Sequence, residues 1–255
     1  MKEQTIFDIN RVKLLLARQL RLNSSTILIG FGAVVGVITF ILSMRVVFES
    51  HSLGMSGFTG LALPIFFVGG YIFTSTIFSE LRTSHRGYLY LTLPASAFEK
   101  LLVAWFISSI LYVVASIGAF YVINLLLILV GLLTNSQPVP LFNFIDPSML
   151  KIFAIYIVTQ SIFLLGAIYF RGVNFLKTLL ALFVINLVIS IFSALLTKFV
   201  LFGSFQSLQF NNNLPDGIEG FIGDVFLPTV KILFWYIMAP FFLVVSYYRL
   251  KERQV

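Results

Sequence analysis

Residues 26–48 read TILIGFGAVVGVITFILSMRVVF and hold a single ionisable side chain, Arg45. Five comparable runs follow, near 58–79, 101–133, 151–170, 178–202 and 229–248. A run of about 20 apolar residues is what a helix needs to cross a hydrocarbon core of roughly 30 Å. Lipid offers no hydrogen bonds to a backbone, so only helices and closed barrels span it. These runs are continuous and lack the two-residue alternation of a barrel strand. Only 11% of the 255 residues are charged and mean hydropathy is +1.00, whereas a soluble domain carries about 25% charged residues. The fold class expected is an all-α membrane protein with six transmembrane helices, in one transmembrane domain over 1–255.

The polar segments between the runs set the expected topology. Residues 1–25 are basic, and Ile9, Val12, Leu16 and Leu20 recur at spacings of three and four, opposite Arg11, Arg18 and Arg21. That pattern predicts an amphipathic interfacial helix lying on the membrane, with a plain basic tail flanking the first span as the alternative. Gly32 and Gly36 form a G-x-x-x-G, a spacing that lets helices approach closely and equally one found on lipid-facing surfaces. The third run is too long for one untilted crossing and predicts tilt or extension past the bilayer. Pro138, Pro140 and Pro147 mark a helix-free connection over 134–150. The outer loop 203–228 is amphipathic, with Phe205, Leu208, Phe221, Ile222 and Phe226 as its apolar residues and a candidate gate region. Of 17 Lys and Arg, 13 fall in the N-terminal segment, the 80–100 loop, the 171–177 turn and the C-terminal tail. The positive-inside rule then places both termini and the 80–100 loop in the cytoplasm. The net charge of +7 fits lipid contact better than nucleic acid, because the basic residues flank the apolar runs.

Several chemistries lack their residues. There is no cysteine, which excludes disulfides and thiolate chemistry. Only two histidines occur, His51 and His85, and no H-E-x-x-H or G-x-x-x-x-G-K-[ST] is present. No Asp, Glu or His falls at an expected bilayer midplane, which weighs against an ion-coupled carrier or intramembrane hydrolase. Asn124, Gln160, Ser161 and Asn186 lie within the runs; they suit a pore lining or interhelical hydrogen bonds equally well. The expectation is that the chain is not an enzyme and binds no cofactor or metal itself.

The densest charge cluster is the stretch FSELRTSHRGYLYLTLPASAFEK at 78–100. Glu80, Arg82, His85 and Arg86 come first, then Leu89, Leu91 and Leu93 in an apolar half. Pro94 ends any helix near Leu93. Ser96 and Glu99 fit an S-x-x-E capping box, followed by Lys100. This stretch resembles the permease subunits of ABC-2 type exporters, which carry E-x-x-x-G-T-x-x-x-L-x-x-L-P-x-S-x-x-E and then Lys. Glu80, Leu89, Leu93, Pro94, Ser96, Glu99 and Lys100 match, while Thr83 and Gly87 stand displaced from the Gly-Thr. The six-span layout is also similar. The resemblance implies a bacterial inner-membrane subunit that pairs with a second permease subunit, alike or different. It implies a separate ATP-binding subunit that holds ATP and Mg and docks on the 80–100 loop and the N-terminal helix. There Glu80, Arg82, His85 and Arg86 would make polar contacts, and Leu89, Leu91 and Leu93 would fill a groove. A non-transporting scaffold or sensor of a cell-envelope complex is the alternative with the same composition; a lipid-modifying enzyme is a weaker one.

Overall fold

The computed structural model describes residues 7–48, 53–82, 87–88, 92–134, 138–170, 172–202, 224 and 226–253, without side-chain placement for 23, 26, 81, 82 and 196–202. Among them it is all-helical. The long helices are α1 (Ile9–Phe48), α2 (Met55–Thr76), α3 (Ala97–Leu133), α4 (Pro147–Tyr169), α5 (Asn174–Phe202) and α6 (Leu227–Glu252). Each contains a segment long and apolar enough to cross a bilayer, which marks an integral membrane protein. Except at the start of α1, the observed ends lie within a few residues of those expected from hydropathy.

α1 departs from expectation. The basic segment and the first span form one uninterrupted helix of 40 residues, about 60 Å at 1.5 Å per residue. Residues 20–27, LRLNSSTI, are polar in the middle but contain neither Gly nor Pro, so nothing there stops a helix. The face it buries also differs. Val12, Leu15 and Leu16 pack inward and Gln19 is buried, while Ile9 is exposed. Arg11 and Arg18 are not on a water-facing side: they turn towards the carboxylates of Glu99 and Glu80. Glu99 is buried and Glu80 half-buried, and each faces one of these cations, which stay partly exposed.

α1 and α3 begin at the same end of the molecule and run side by side in the same direction. α2, α4 and α6 return. The end where Arg11, Arg18, Arg249 and Lys251 gather is called the basic end below. There one apolar cluster joins Ile77 and Phe78 after α2, Leu101 and Ala104 of α3, Leu164 and Ile168 of α4, and Leu250 of α6, with Val12 and Leu16 of α1 against it. Both described ends of the chain thus meet in one cluster.

The second cluster fills the far half with rings. Phe58, Phe66, Phe120, Phe142, Phe144, Phe153 and Tyr156 are all buried. In lipid, helices gain little by hiding apolar surface from one another, so close packing carries association. Ring pairs supply it at roughly 0.5–1.5 kcal/mol each beyond their area. Phe58 alone meets Phe120, Phe142 and Phe144 at centroid distances of 5.7, 5.6 and 5.1 Å. Gly32 and Gly36 take no part in such packing: nothing lies within 4 Å of a methyl built on either.

Candidate functional site

The site begins at Ser96. Its backbone is extended (φ −68°, ψ 157°) and its hydroxyl accepts the Glu99 N–H at 3.1 Å, while Glu99 Oε2 accepts the Ser96 N–H at 2.8 Å. The expected capping box is formed. Pro94 sits at the preceding bend, two residues past Thr92, whose N–H donates to the Tyr88 carbonyl at 3.0 Å. Glu99 does more than cap its own helix. Its Oε1 accepts the backbone N–H of Asp8 at 2.8 Å and lies 3.4 Å from Arg11 Nε. Asp8 in turn caps α1, its Oδ1 accepting the Asn10 N–H at 2.9 Å. One carboxylate, fully buried, therefore holds the starts of two long helices. Negative charge at two helix N-termini is also where the helix dipoles favour it. Phe7 against Phe98, at 6.4 Å between centroids, closes the outer side.

A second tie sits about two turns along α1. Arg18 Nη1 and Nη2 each lie 3.3 Å from Glu80 Oε2, and Glu80 belongs to a short 3-10 turn, Ser79–Arg82, that follows α2. Next to it, Gln19 Nε2 donates to the Ile77 carbonyl at 3.2 Å, satisfying a group that the end of α2 leaves without an intrahelical partner. Leu93 packs against the chain's own basic-end cluster, and Lys100 is buried beside Glu99. Tyr88 is exposed. The Arg82 side chain and the whole of His85, Arg86, Leu89 and Leu91 lie outside the described residues. So do Phe205, Leu208, Phe221 and Ile222 of the expected gate; Phe226 is described and exposed, just before α6. Of the basic-helix residues, Leu20 is half-buried and Arg21 exposed.

The middle of the bundle contains a polar layer. α3 widens into a π-helical turn at Ile107–Leu111, a feature that leaves a carbonyl without its usual α-helical donor. Tyr156 of α4, fully buried, donates its hydroxyl to the Ser108 carbonyl at 2.9 Å. The Gln160 amide oxygen lies 3.2 Å from Ser108 Oγ and 3.5 Å from Thr74 Oγ1. Gly70 makes room for Tyr156: a methyl there would stand 2.6 Å from its hydroxyl oxygen and 2.7 Å from Cζ. Residues from α2, α3 and α4 are locked together at one level.

At the far end the proline-rich connection 138–146 folds into the helix bundle. Val139, Phe142 and Phe144 are buried. An irregular backbone at that depth needs hydrogen bonds, and Asn124 of α3 supplies two: Nδ2 donates to the Pro140 carbonyl at 3.2 Å and Oδ1 accepts the Phe142 N–H at 3.1 Å. Of the polar residues in the runs, Asn124 and Gln160 serve internal contacts, and a lone amide in an apolar run was the signal for both. Gln19 carried no such mark, being one polar residue among many in a basic segment.

No family model, curated protein or solved structure matches this chain.

Proposed function

We propose that this chain is the membrane-spanning permease subunit of an ATP-driven exporter of the ABC-2 type. A separate ATP-binding subunit docks from the cytoplasm on the connection 78–100 and supplies ATP and Mg. A second permease subunit completes the pathway in the bacterial inner membrane, and the loop 203–228 borders its exit. The observation that carries the reading is how the connection is tied. Glu80 pairs with Arg18 and Glu99 holds Asp8 and Arg11, so a push on this segment reaches α1, α2 and α3 at once. A force-receiving port needs such rigid ties, since a freely hinged loop would absorb the stroke.

The test is affinity purification of the tagged chain in mild detergent, with the accompanying proteins identified by mass spectrometry. A stoichiometric small ATPase is expected, lost in Tyr88→Asp and Arg86→Glu variants that still insert. Tyr88 suits the test better than Leu93 because it is exposed and makes no core contact. A preparation without ATPase, or one dominated by envelope-assembly proteins, would overturn the exporter reading in favour of a scaffold.

A further inference from the structure

Arg45, the one ionisable residue in 26–48, stands in the last turn of α1. Its guanidinium lies across the start of α2: Nη1 is 3.9 Å from the place a methyl would take on Gly57. From there a groove of about 590 Å³ runs along α2, lined by Ser56, Gly57, Gly60, Pro64 and Ile65. The two glycines put no side chain into it, and nothing lies within 4 Å of a methyl built on Gly60. Gly60 and Pro64 are exposed, so the groove opens sideways, towards lipid. From Ser56 to Ile65 is about 14 Å along the axis at 1.5 Å per residue, the depth of one leaflet of a roughly 30 Å core. The groove is therefore polar and cationic at its mouth and apolar along the rest of its length.

We infer that this groove holds one acyl chain of an anionic phospholipid, with the lipid's phosphate on Arg45. A slot open to hydrocarbon does not stay empty, because its walls would forfeit their contacts. Water finds no hydrogen-bond partners along an apolar lining. An acyl chain has the length of the groove, and the glycines leave it room. The same molecule carries its charge at the end where Arg45 stands. A guanidinium meets a phosphate through two parallel N–H···O bonds, and the Ser56 hydroxyl adds a donor at the mouth. A net-anionic head such as phosphatidylglycerol leaves that phosphate to the protein. In phosphatidylcholine the lipid's own cation competes for it. A free phosphate ion would use Arg45 and not the groove. The inference rests on the membrane placement alone, so it stands or falls apart from the exporter reading.

The test uses the full-length protein in phosphatidylcholine nanodiscs doped with a lipid whose acyl chain is photoreactive, the adducts being mapped by mass spectrometry. Photoreactive phosphatidylglycerol should label residues 57–65 about tenfold more than photoreactive phosphatidylcholine at equal dose, the scale of one charge-assisted contact. This comparison needs no variant. In Arg45→Gln the excess should vanish, and Arg45→Lys should keep part of it. Gly60→Leu fills the groove where a methyl meets nothing, and leucine suits a helix better than glycine. That variant should therefore fold and lose labelling by both lipids. Excess inorganic phosphate should not displace phosphatidylglycerol. Equal labelling by the two lipids, an excess that survives Arg45→Gln, labelling unchanged by Gly60→Leu, displacement by phosphate, or no adduct within 57–65 would each overturn the inference.

Discussion

Glu99 and Asp8 stand 91 residues apart in sequence, yet Glu99 Oε1 accepts the Asp8 backbone N–H at 2.8 Å. The same side chain reaches back to the Ser96 N–H and faces Arg11. Removing it leaves two backbone donors without an acceptor and a cation without its buried counter-charge. Glu99→Ala should destabilise the protein by about 3–5 kcal/mol, the usual range for breaking a buried ion pair from one side. Glu99→Gln keeps an acceptor oxygen and should cost about 1–3 kcal/mol. Thermal unfolding in detergent ranks the two; equal melting temperatures would show that the acceptor oxygen kept by Gln contributes nothing, and a Glu99→Gln variant as stable as the native protein would show that the charge contributes nothing.

Asn124 replaces an absent strand partner for the segment around Phe142. In Asn124→Leu the Pro140 carbonyl and the Phe142 N–H lose their partners at once, for about 2–4 kcal/mol from two unmet buried groups. Hydrogen exchange should rise selectively at Phe142 while the centres of α2 and α4 stay protected. Unchanged exchange there would mean that the rings alone hold the segment.

At Gly70 two effects oppose. Alanine in mid-helix gains roughly 1 kcal/mol over glycine. Against that, the Tyr156 ring is hemmed in by Phe66, Phe67, Tyr71 and Tyr112 and tied to Ser108, so it cannot step aside. Overpacking of this kind costs about 1–3 kcal/mol, and Gly70→Ala should lower the melting temperature. Gly36→Ala, in open space, is the control and should leave it level or raise it.

Asp146 caps α4, and the Ser148 hydroxyl, followed by the Ser148 N–H, holds its carboxyl below the ordinary aspartate range. A depressed folded pKa means the cap contributes fully above the unfolded value and fades as pH falls through the folded one. Melting temperatures of the native protein and Asp146→Ala should therefore differ at neutral pH and converge in acid. A gap that persists at low pH would exclude the charge as its source.

Much of this was legible in the residues. Six spans follow from six apolar runs, and S-x-x-E before the third located the capping box that Ser96 and Glu99 form. The misreading of α1 has a definite cause: the polarity of Asn23, Ser24 and Ser25 looks like a boundary, but polarity does not end a helix. The inward turn of Arg11 and Arg18 was hidden because their partners, Glu99 and Glu80, are distant in sequence. Asn124 was visible as an amide needing a partner, but the partner is backbone and leaves no residue signature. The π-helical turn at Ser108 has no composition of its own.

The grip of Glu99 on the start of α1 also imposes an order on biosynthesis. The first helix leaves the ribosome long before its carboxylate exists. Until the third span has been made, the Asp8 amide has only water or lipid headgroups to face, and Arg11 only the Asp8 carboxylate beside it. Arg18 and Gln19 can meet Glu80 and Ile77 once α2 is complete, but the first turn of α1 must wait and closes onto the bundle when residue 99 arrives. Completion of the third span is thus the event that converts inserted helices into a fixed assembly.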